Sequence, residues 1–313
     1  MPEYPDISVY IDAISRRIGG KTLVDIKLNN PFLLRTVSPT LTEFQGATVN
    51  SLSRMGKRIV IEFNQANSSP NKPLWMVVHL MIAGRLHWKS SNQKPPGKSA
   101  LLLLRFESGW LYLTEAGSKR RASLHLFDNR ESLQEIDPGG LEVMDANLDS
   151  FVERITANNH TLKRALTDPR ILSGIGNAYS DEILHRAKLS PIKQTQKLSP
   201  QELERLFISI KESLTYWTDN LRQFYGDKFP EKVTAFREDM AVHGRYGKPC
   251  PKCGAPVQRI VYSTNECNYC PTCQTEGRIL ADRALSQLLK KDWPRTLEEL
   301  EKLKATDSKH TTI

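Results

Sequence analysis

The chain has 313 residues with ordinary aliphatic and aromatic content, a formal net charge of +9 and a pI near 9.3. That length suits two domains, each with a buried core, and excludes a disordered tail. No apolar run is long enough to span a bilayer and no charged-then-apolar leader opens the chain, so a cytosolic protein is expected.

Positive charge favours a polyanionic partner. The chain opens Met1-Pro2-Glu3-Tyr4-Pro5. Removal of Met1 leaves Pro2 as a free secondary amine, with an unperturbed pKa of roughly 8. Such an amine attacks an electrophilic carbon and collapses to an iminium ion, as a Schiff-base lysine does. Glu3 offers a neighbouring carboxyl for proton transfer. Alone, these residues are equally the neighbourhood of a start codon, and only the rest of the chain gives them meaning. Ile7, Tyr10, Ile11 and Ile14 recur at helical spacing, which predicts an amphipathic helix over 5–17, ended by Gly19-Gly20.

From 23 to 126 the texture changes to short apolar runs at 59–61, 74–80, 101–106 and 110–113, separated by loop-like 68–73 and 90–99. Strands at this spacing suggest a β-sandwich or barrel. Arg54-Met55-Gly56-Lys57-Arg58 leads into one of them, with Lys57 at a hairpin base. Lys119-Arg120-Arg121 forms a second basic run, and each has the alternative reading of a solvated edge.

Asp137-Pro138-Gly139-Gly140 reads as the domain break. Beyond it, Ser150-Phe151-Val152-Glu153 and Ser199-Pro200-Gln201-Glu202 fit capping boxes. Leu203, Leu206, Phe207, Ile210, Leu214 and Trp217 form the apolar stripe of the helix after the second box. Between the caps lies Gly174-Ile175-Gly176-Asn177, flanked by Lys163-Arg164 and by His185-Arg186-Ala187-Lys188. Gly174 and Gly176 permit close approach of backbone amides to a phosphate, and Asn177 can cap the next helix or donate its amide. An ordinary helix-helix turn has the same pattern; basic flanks favour nucleic acid.

All five cysteines fall between Cys250 and Cys273, a crowding that points to metal and not to disulfides. Cys250 and Cys253 are followed, after sixteen residues, by Cys270 and Cys273. Two such knuckles supply four thiolates for a tetrahedral structural zinc, closed to catalysis. The intervening segment suits a β-hairpin with Val257, Ile260 and Tyr262 at strand positions. Cys267 is the bystander, and Lys248, Lys252 and Arg259 make the hairpin a candidate phosphate-gripping arm.

Taken in order, these motifs resemble the formamidopyrimidine-DNA glycosylase and endonuclease VIII family of base-excision repair enzymes. The resemblance spans nearly the whole chain and includes the Met-Pro-Glu-x-Pro opening, residues 54–57, 79–86 and 172–184, and the cysteine quartet ending in Gln274. It implies an α+β multidomain fold: an N-terminal β-sandwich flanked by helices, and a C-terminal helical domain with a helix-two-turn-helix motif and a zinc-finger β-hairpin, with DNA in the cleft between. The expected layout is a catalytic domain over 1–136, a linker over 137–149, a helical DNA-binding domain over 150–247, a zinc hairpin over 248–282, and a C-terminal helix and tail over 283–313.

The resemblance further implies a bifunctional DNA glycosylase and AP lyase. Pro2 attacks C1′ of a flipped-out damaged nucleotide, Glu3 shuttles protons, Lys57 binds phosphate or assists at the sugar, and Asn177 holds a phosphate. The expected partner is damaged duplex DNA, the expected cofactor a structural zinc, and the expected state a monomer. Three places depart from the family pattern. Asn265 stands at the hairpin tip where arginine is usual, with Arg259 or Lys252 as compensating charge. Ile82 stands where methionine often fills the hole left by the flipped base, and can still wedge. The loop carrying Lys119, Arg120 and Arg121 keeps positive charge but has no aromatic wedge. A non-catalytic damage-binding protein on the same scaffold is the rival reading. An RNA-binding zinc ribbon is a third, and it leaves the proline opening unexplained.

Overall fold

The first helix, α1 (Tyr4–Ile18), forms because its apolar residues fall on one stripe and both ends are closed. At the start, the Glu3 N–H donates to Asp6 Oδ2 at 2.9 Å. At the end, the Gly19 N–H donates to Ser15 O at 2.9 Å, and Gly20 turns the chain with φ +70°, a conformation open to residues without a Cβ. Ile7, Tyr10, Ile14 and Ile18 are fully buried in the main apolar core.

The computed structural model describes residues 1–65, 72–94, 97–117, 119–231, 237–262, 265–281 and 293–302. They fall into two units, Met1–Gly140 with Leu214–Ala235, and Leu141–Ser213 with Phe236–Ile313. Most of the expected C-terminal helix and tail lies outside the described residues.

In the first unit, eight strands make the expected sandwich: β1 (Leu23–Leu28), β2 (Thr48–Met55), β3 (Arg58–Asn64), β4 (Pro73–His79), β5 (Gly84–Ser90), β6 (Leu102–Phe106), β7 (Gly109–Glu115) and β8 (Ser123–Phe127). One sheet has the order β2-β3-β4-β8 and the other β1-β6-β7-β5, and every pairing is antiparallel. Alternation then decides burial. Ile59, Ile61 and Phe63 of β3 enter the core shared with α1, Leu86, Leu104 and Leu113. Val60, between them, faces the other way and packs with Trp75, Val77, Phe127 and Leu133 of α2 (Arg130–Glu135). Each fully buried Ile, Leu or Phe contributes roughly 1.5–3 kcal/mol relative to exposure. Residues 222–229 clasp α1: Arg222 Nε lies 2.8 Å from Asp12 Oδ2, and Arg17 Nη2 donates to Asp227 O at 2.6 Å.

The second unit is helical, with α3 (Leu148–Thr156), α4 (Leu162–Thr167), α5 (Asn177–Arg186) and the first half of α6 (Pro200–Tyr225). Ser199 and Glu202 form the reciprocal box expected at the start of α6. At α3 the start lies earlier than the sequence pattern placed it. Asn147 is the cap and its Oδ1 accepts from the Ser150 N–H at 2.9 Å, because Asn outcompetes a serine already one turn inside. A hairpin of β9 (Gln258–Tyr262) and β10 (Asn265–Tyr269) precedes the short α7 (Pro271–Thr275).

On β4, His79 sits opposite Arg58 of β3 and Ser123 of β8. Burial, reinforced by Arg58, Lys57 and His125, pushes its pKa down to about 4. An unfolded histidine titrates near 6.5, so between about pH 6.5 and 4 the unfolded chain binds the extra proton and stability falls as pH falls. The loss approaches on the order of 3 kcal/mol at the acid end of that window. His125, lowered by its own burial and by Arg58 and Arg35, adds to the slope. Urea unfolding at pH 7 and pH 5 is expected to show this acid loss, and His79→Gln to flatten it. An unchanged slope in His79→Gln would contradict the assignment.

Candidate functional site

The N-terminal end of α1 gathers the charged groups of the first unit. Pro2 is buried and Glu3 is 2% exposed at the helix cap. The terminal amine on Met1 has its pKa lowered, first by burial, then by Arg85 and Lys57, against opposing pulls from Glu3 and Asp6. The structure therefore brings Glu3, Lys57 and Arg85 into one electrostatic neighbourhood with the start of the chain. Of these, Arg85 was not singled out from sequence. It is the second residue of β5, and its Nη1 donates to Gly84 O at 2.7 Å and Ile82 O at 3.1 Å.

Lys57 lies in the two-residue turn joining β2 to β3, at the tip of the hairpin and not at its base. Met55 pairs with Arg58 around it, and Gly56 has φ +60°, as such tight turns demand. Arg54 Nη1 donates to Gly56 O at 2.8 Å, and its guanidinium lies 4.4 Å from the Tyr4 ring centroid. This contact joins the turn to the first residue of α1. Ile82 sits in the β4–β5 turn and is 63% exposed. The turn is tight: the Gly84 N–H donates to Leu80 O, and a Cβ on Gly84 would come within 2.3 Å of that oxygen.

Lys119, Arg120 and Arg121 are all exposed. The end of this run is held by the buried Glu115 carboxylate, whose Oε1 accepts from the Arg121 N–H at 2.8 Å and the Ala122 N–H at 3.1 Å. Charge is thus displayed on a loop whose return is fixed.

In the second unit, the glycine turn leads directly into α5. Gly174 has φ +80°, Ile175 is fully buried, and Gly176, not Asn177, occupies the cap position. Asn177 Nδ2 donates to Glu266 O of β10 at 2.9 Å. Lys163 Nζ donates to Asn177 O at 2.7 Å, Ser180 Oγ at 2.8 Å and Asp181 Oδ1 at 2.5 Å. The next residues carry two buried carboxylates that sequence reasoning passed over. Asp181 Oδ2 meets His243 Nδ1 at 2.8 Å and accepts from the Asn268 N–H at 3.1 Å. Glu182 accepts from three consecutive backbone N–H groups, those of Ala241, Val242 and His243. Burial pushes the Glu182 carboxyl up, against the pull of those donors. Adjacent acids on a helix ordinarily read as a solvated face, which is why their pattern carried no signal.

The cysteines converge as their spacing predicted. Cys250 Sγ lies 4.0 Å from Cys273 Sγ, and Cys253 Sγ 3.4 Å from Cys270 Sγ. A tetrahedral centre with metal–sulfur bonds near 2.3 Å sets its sulfurs about 3.8 Å apart, so the donor set fits a metal ion. Cys267 stands apart on β10, paired with Ile260 and fully buried; burial pushes its thiol pKa well up, in keeping with a bystander. One further donor was missed. His185, on α5, is 2% exposed and its Nε2 lies 3.3 Å from Cys250 Sγ. His185, Cys250, Cys270 and Cys273 place their donor atoms within 4.8 Å of one another.

Arg259 pairs with Glu266 at 3.2 Å and lies over the Tyr246 ring at 4.4 Å. Asn265 opens β10, but its side chain lies outside the described residues. Among the described residues, no helix is long and apolar enough to cross a membrane.

Replacing Glu182 with Ala removes the acceptor of three amides. At roughly 1–3 kcal/mol for each buried donor left unsatisfied, with water recovering part of it, a loss on the order of 2–4 kcal/mol is expected. Amide hydrogen exchange at 241–243 should accelerate. Unchanged protection there would show that the carboxylate does not hold the segment.

A family model described as the formamidopyrimidine-DNA glycosylase N-terminal domain matches residues 1–132, and one described as that family's H2TH domain matches 139–217. A formamidopyrimidine-DNA glycosylase-like protein of Mycobacterium tuberculosis is 39% identical over 151 residues, covering 48% of this chain and 94% of its own. The formamidopyrimidine-DNA glycosylase of Pelotomaculum thermopropionicum is 27% identical over 283 residues, covering 88% of this chain and 99% of its own. Among solved structures, Lactococcus lactis Fpg in complex with DNA containing an oxidised pyrimidine aligns with TM-score 0.74 at 23% identity, covering 88% of this chain and 100% of its own. By these matches the chain belongs to the formamidopyrimidine-DNA glycosylase family.

Proposed function

We propose that this chain is a DNA glycosylase with AP lyase activity that works through Pro2 once Met1 has been removed. The observation that carries this reading is the setting of Pro2, which is buried next to Glu3 and follows a Met1 amine whose pKa is lowered by burial, Arg85 and Lys57 against Glu3 and Asp6. In that setting a proline amine is neutral and nucleophilic near neutral pH. It attacks C1′ of an extruded nucleotide, and the bond from C1′ to the base breaks with its electron pair leaving on the base, which takes up a proton. The sugar ring then opens to an iminium ion on Pro2. Glu3, buried beside the amine, is the group that transfers protons at the opening sugar. Loss of a proton from C2′ and departure of the 3′ phosphate complete β-elimination, and water releases the protein. Lys57 and Arg85 supply positive charge for the flanking phosphates.

Positively charged and apolar side chains outside this cluster have matching roles. Asn177 uses one amide hydrogen on Glu266 O, and its second is the donor offered to a phosphate. Exposed Lys119, Arg120 and Arg121 face the polyanion, and Ile82, 63% exposed, fills the space left by the flipped base. Arg259 is tied to Glu266, so its reach to phosphate requires exchange of that pair. The metal is zinc, held by Cys250, Cys253, Cys270 and Cys273 and structural in role. It folds the hairpin and takes no part in the chemistry.

Borohydride reduction in the presence of damaged or abasic oligonucleotides is expected to trap a covalent complex, and peptide mapping to locate it at Pro2. Absence of trapping on every substrate, or an adduct on a lysine, would overturn the mechanism. Because the amine must be neutral, and the burial and cations that lower the Met1 amine also surround Pro2, the trapping rate should rise with pH and level off below the roughly pH 8 midpoint of an ordinary α-amine. Chelation of zinc should weaken DNA binding and leave the sandwich folded. Affinity unaltered after verified metal loss would remove the hairpin from the interface.

A further inference from the structure

The four clustered cysteines and His185 of α5 together offer more donors than a tetrahedral ion takes, and they differ in exposure. Cys250 and Cys270 are buried and Cys273 is half-buried, whereas Cys253 is exposed. An exposed thiolate is the member of the set that solvent, oxidants and alkylating agents reach first. On the opposite side, His185 Nε2 lies 3.3 Å from Cys250 Sγ. In a tetrahedral site with metal–nitrogen and metal–sulfur bonds of normal length, a nitrogen and a sulfur ligand are about 3.6 Å apart. His185 therefore already stands at ligand distance from Cys250, and it shares one 4.8 Å cluster with Cys250, Cys270 and Cys273.

The helix that carries His185 is fixed to the hairpin at several other points. Asn177 and Asp181 of α5 bond to Glu266 O and the Asn268 N–H on β10. Glu182 holds residues 241–243, and Gln274 Nε2 of α7 donates to Leu189 O just beyond α5 at 2.9 Å. His185 is thus presented to the cluster by a helix tied to the hairpin at these points, with Nε2 already 3.3 Å from Cys250 Sγ.

We infer that His185 is a reserve ligand of the hairpin metal: its Nε2–H donates a hydrogen bond to the Cys250 thiolate while four cysteines hold the ion, and when Cys253 is lost or modified the Nε2 proton passes to solvent, the neutral ring carries its proton on Nδ1, and Nε2 becomes the fourth ligand. The inference rests on the proposed zinc site. A full chain isolated without any bound metal would sink that site itself, whereas the outcomes below test His185 alone.

The test uses full-length, zinc-loaded protein as wild type, Cys253→Ser, His185→Gln and the double variant. X-ray absorption at the zinc edge is expected to show four sulfurs in the wild type. In Cys253→Ser it should show three sulfurs and one nitrogen, with the outer-shell scattering of an imidazole. Competition with a chelator should show Cys253→Ser still binding one ion per chain. In the wild-type background His185→Gln should weaken binding about tenfold, the lower end of the loss seen when a metal's outer-shell partners are removed. Relative to the wild type, the double variant should be weakened by more than the product of the two single effects. Should Cys253→Ser fail to fold, alkylating Cys253 on the folded protein provides the same comparison. Zinc should then be retained in the wild type and released from His185→Gln. A water oxygen in place of imidazole, or purely multiplicative losses in the double variant, would overturn the inference. So would nitrogen ligation already present in the wild type.

Discussion

The second unit hangs on two adjacent buried carboxylates, Asp181 and Glu182. Removing a carboxylate from water is expensive unless charge and hydrogen bonds replace the solvent, and here both replacements are present. Asp181 is met by Lys163, His243 and a strand amide, and Glu182 by three successive amides. Because those partners come from α4, from the segment before the cysteines and from β10, the pair ties together parts of the chain that have no local reason to meet. The glycine turn and the metal cluster lie at opposite ends of the same ten-residue helix, α5. Whatever fixes that helix therefore fixes both.

In the first unit the comparable role belongs to the cap of α1. The bond from the Glu3 N–H to Asp6 does more than close a helix, since it sets the direction in which the chain leaves toward Pro2 and Met1. The Arg54–Tyr4 contact sets the Lys57 turn against the same end. Burial around the amine and the cations beside it act in one direction, toward the neutral form. In the proposed mechanism the amine owes its reactivity to where the sandwich leaves its first helix, as much as to the proline itself.

Much of this was legible from residues alone where the signal was local. The apolar runs at 59–61, 74–80, 101–106 and 110–113, the α6 capping box and the paired cysteines depend on neighbours a few residues apart, and strands β3, β4, β6 and β7 and the reciprocal cap formed there. The α3 start moved to Asn147 because two competing caps lay within one turn and only geometry chooses between them. Arg85 and His185 carried no signal, since each works through a partner distant in sequence. The pattern around Asp181 and Glu182 misled for the same reason: a helical acid pair is normally solvated, and nothing local announces three amides arriving from sixty residues away.

The sequence by itself determined many of the element types, the pairing of cysteines at metal-ligand spacing and the presence of a proline, a carboxyl and a lysine whose order matches one enzyme family. Periodicity, turn chemistry and ligand spacing are short-range properties, and they survive in a linear string. Tertiary structure alone decided that Glu3, Lys57 and Arg85 share the environment of the chain's first amine. It alone decided that Asn177 spends a donor on β10, and that a histidine stands beside the Cys250 sulfur. Those outcomes depend on burial and on distances between segments far apart in the chain, quantities that exist only once the core has closed.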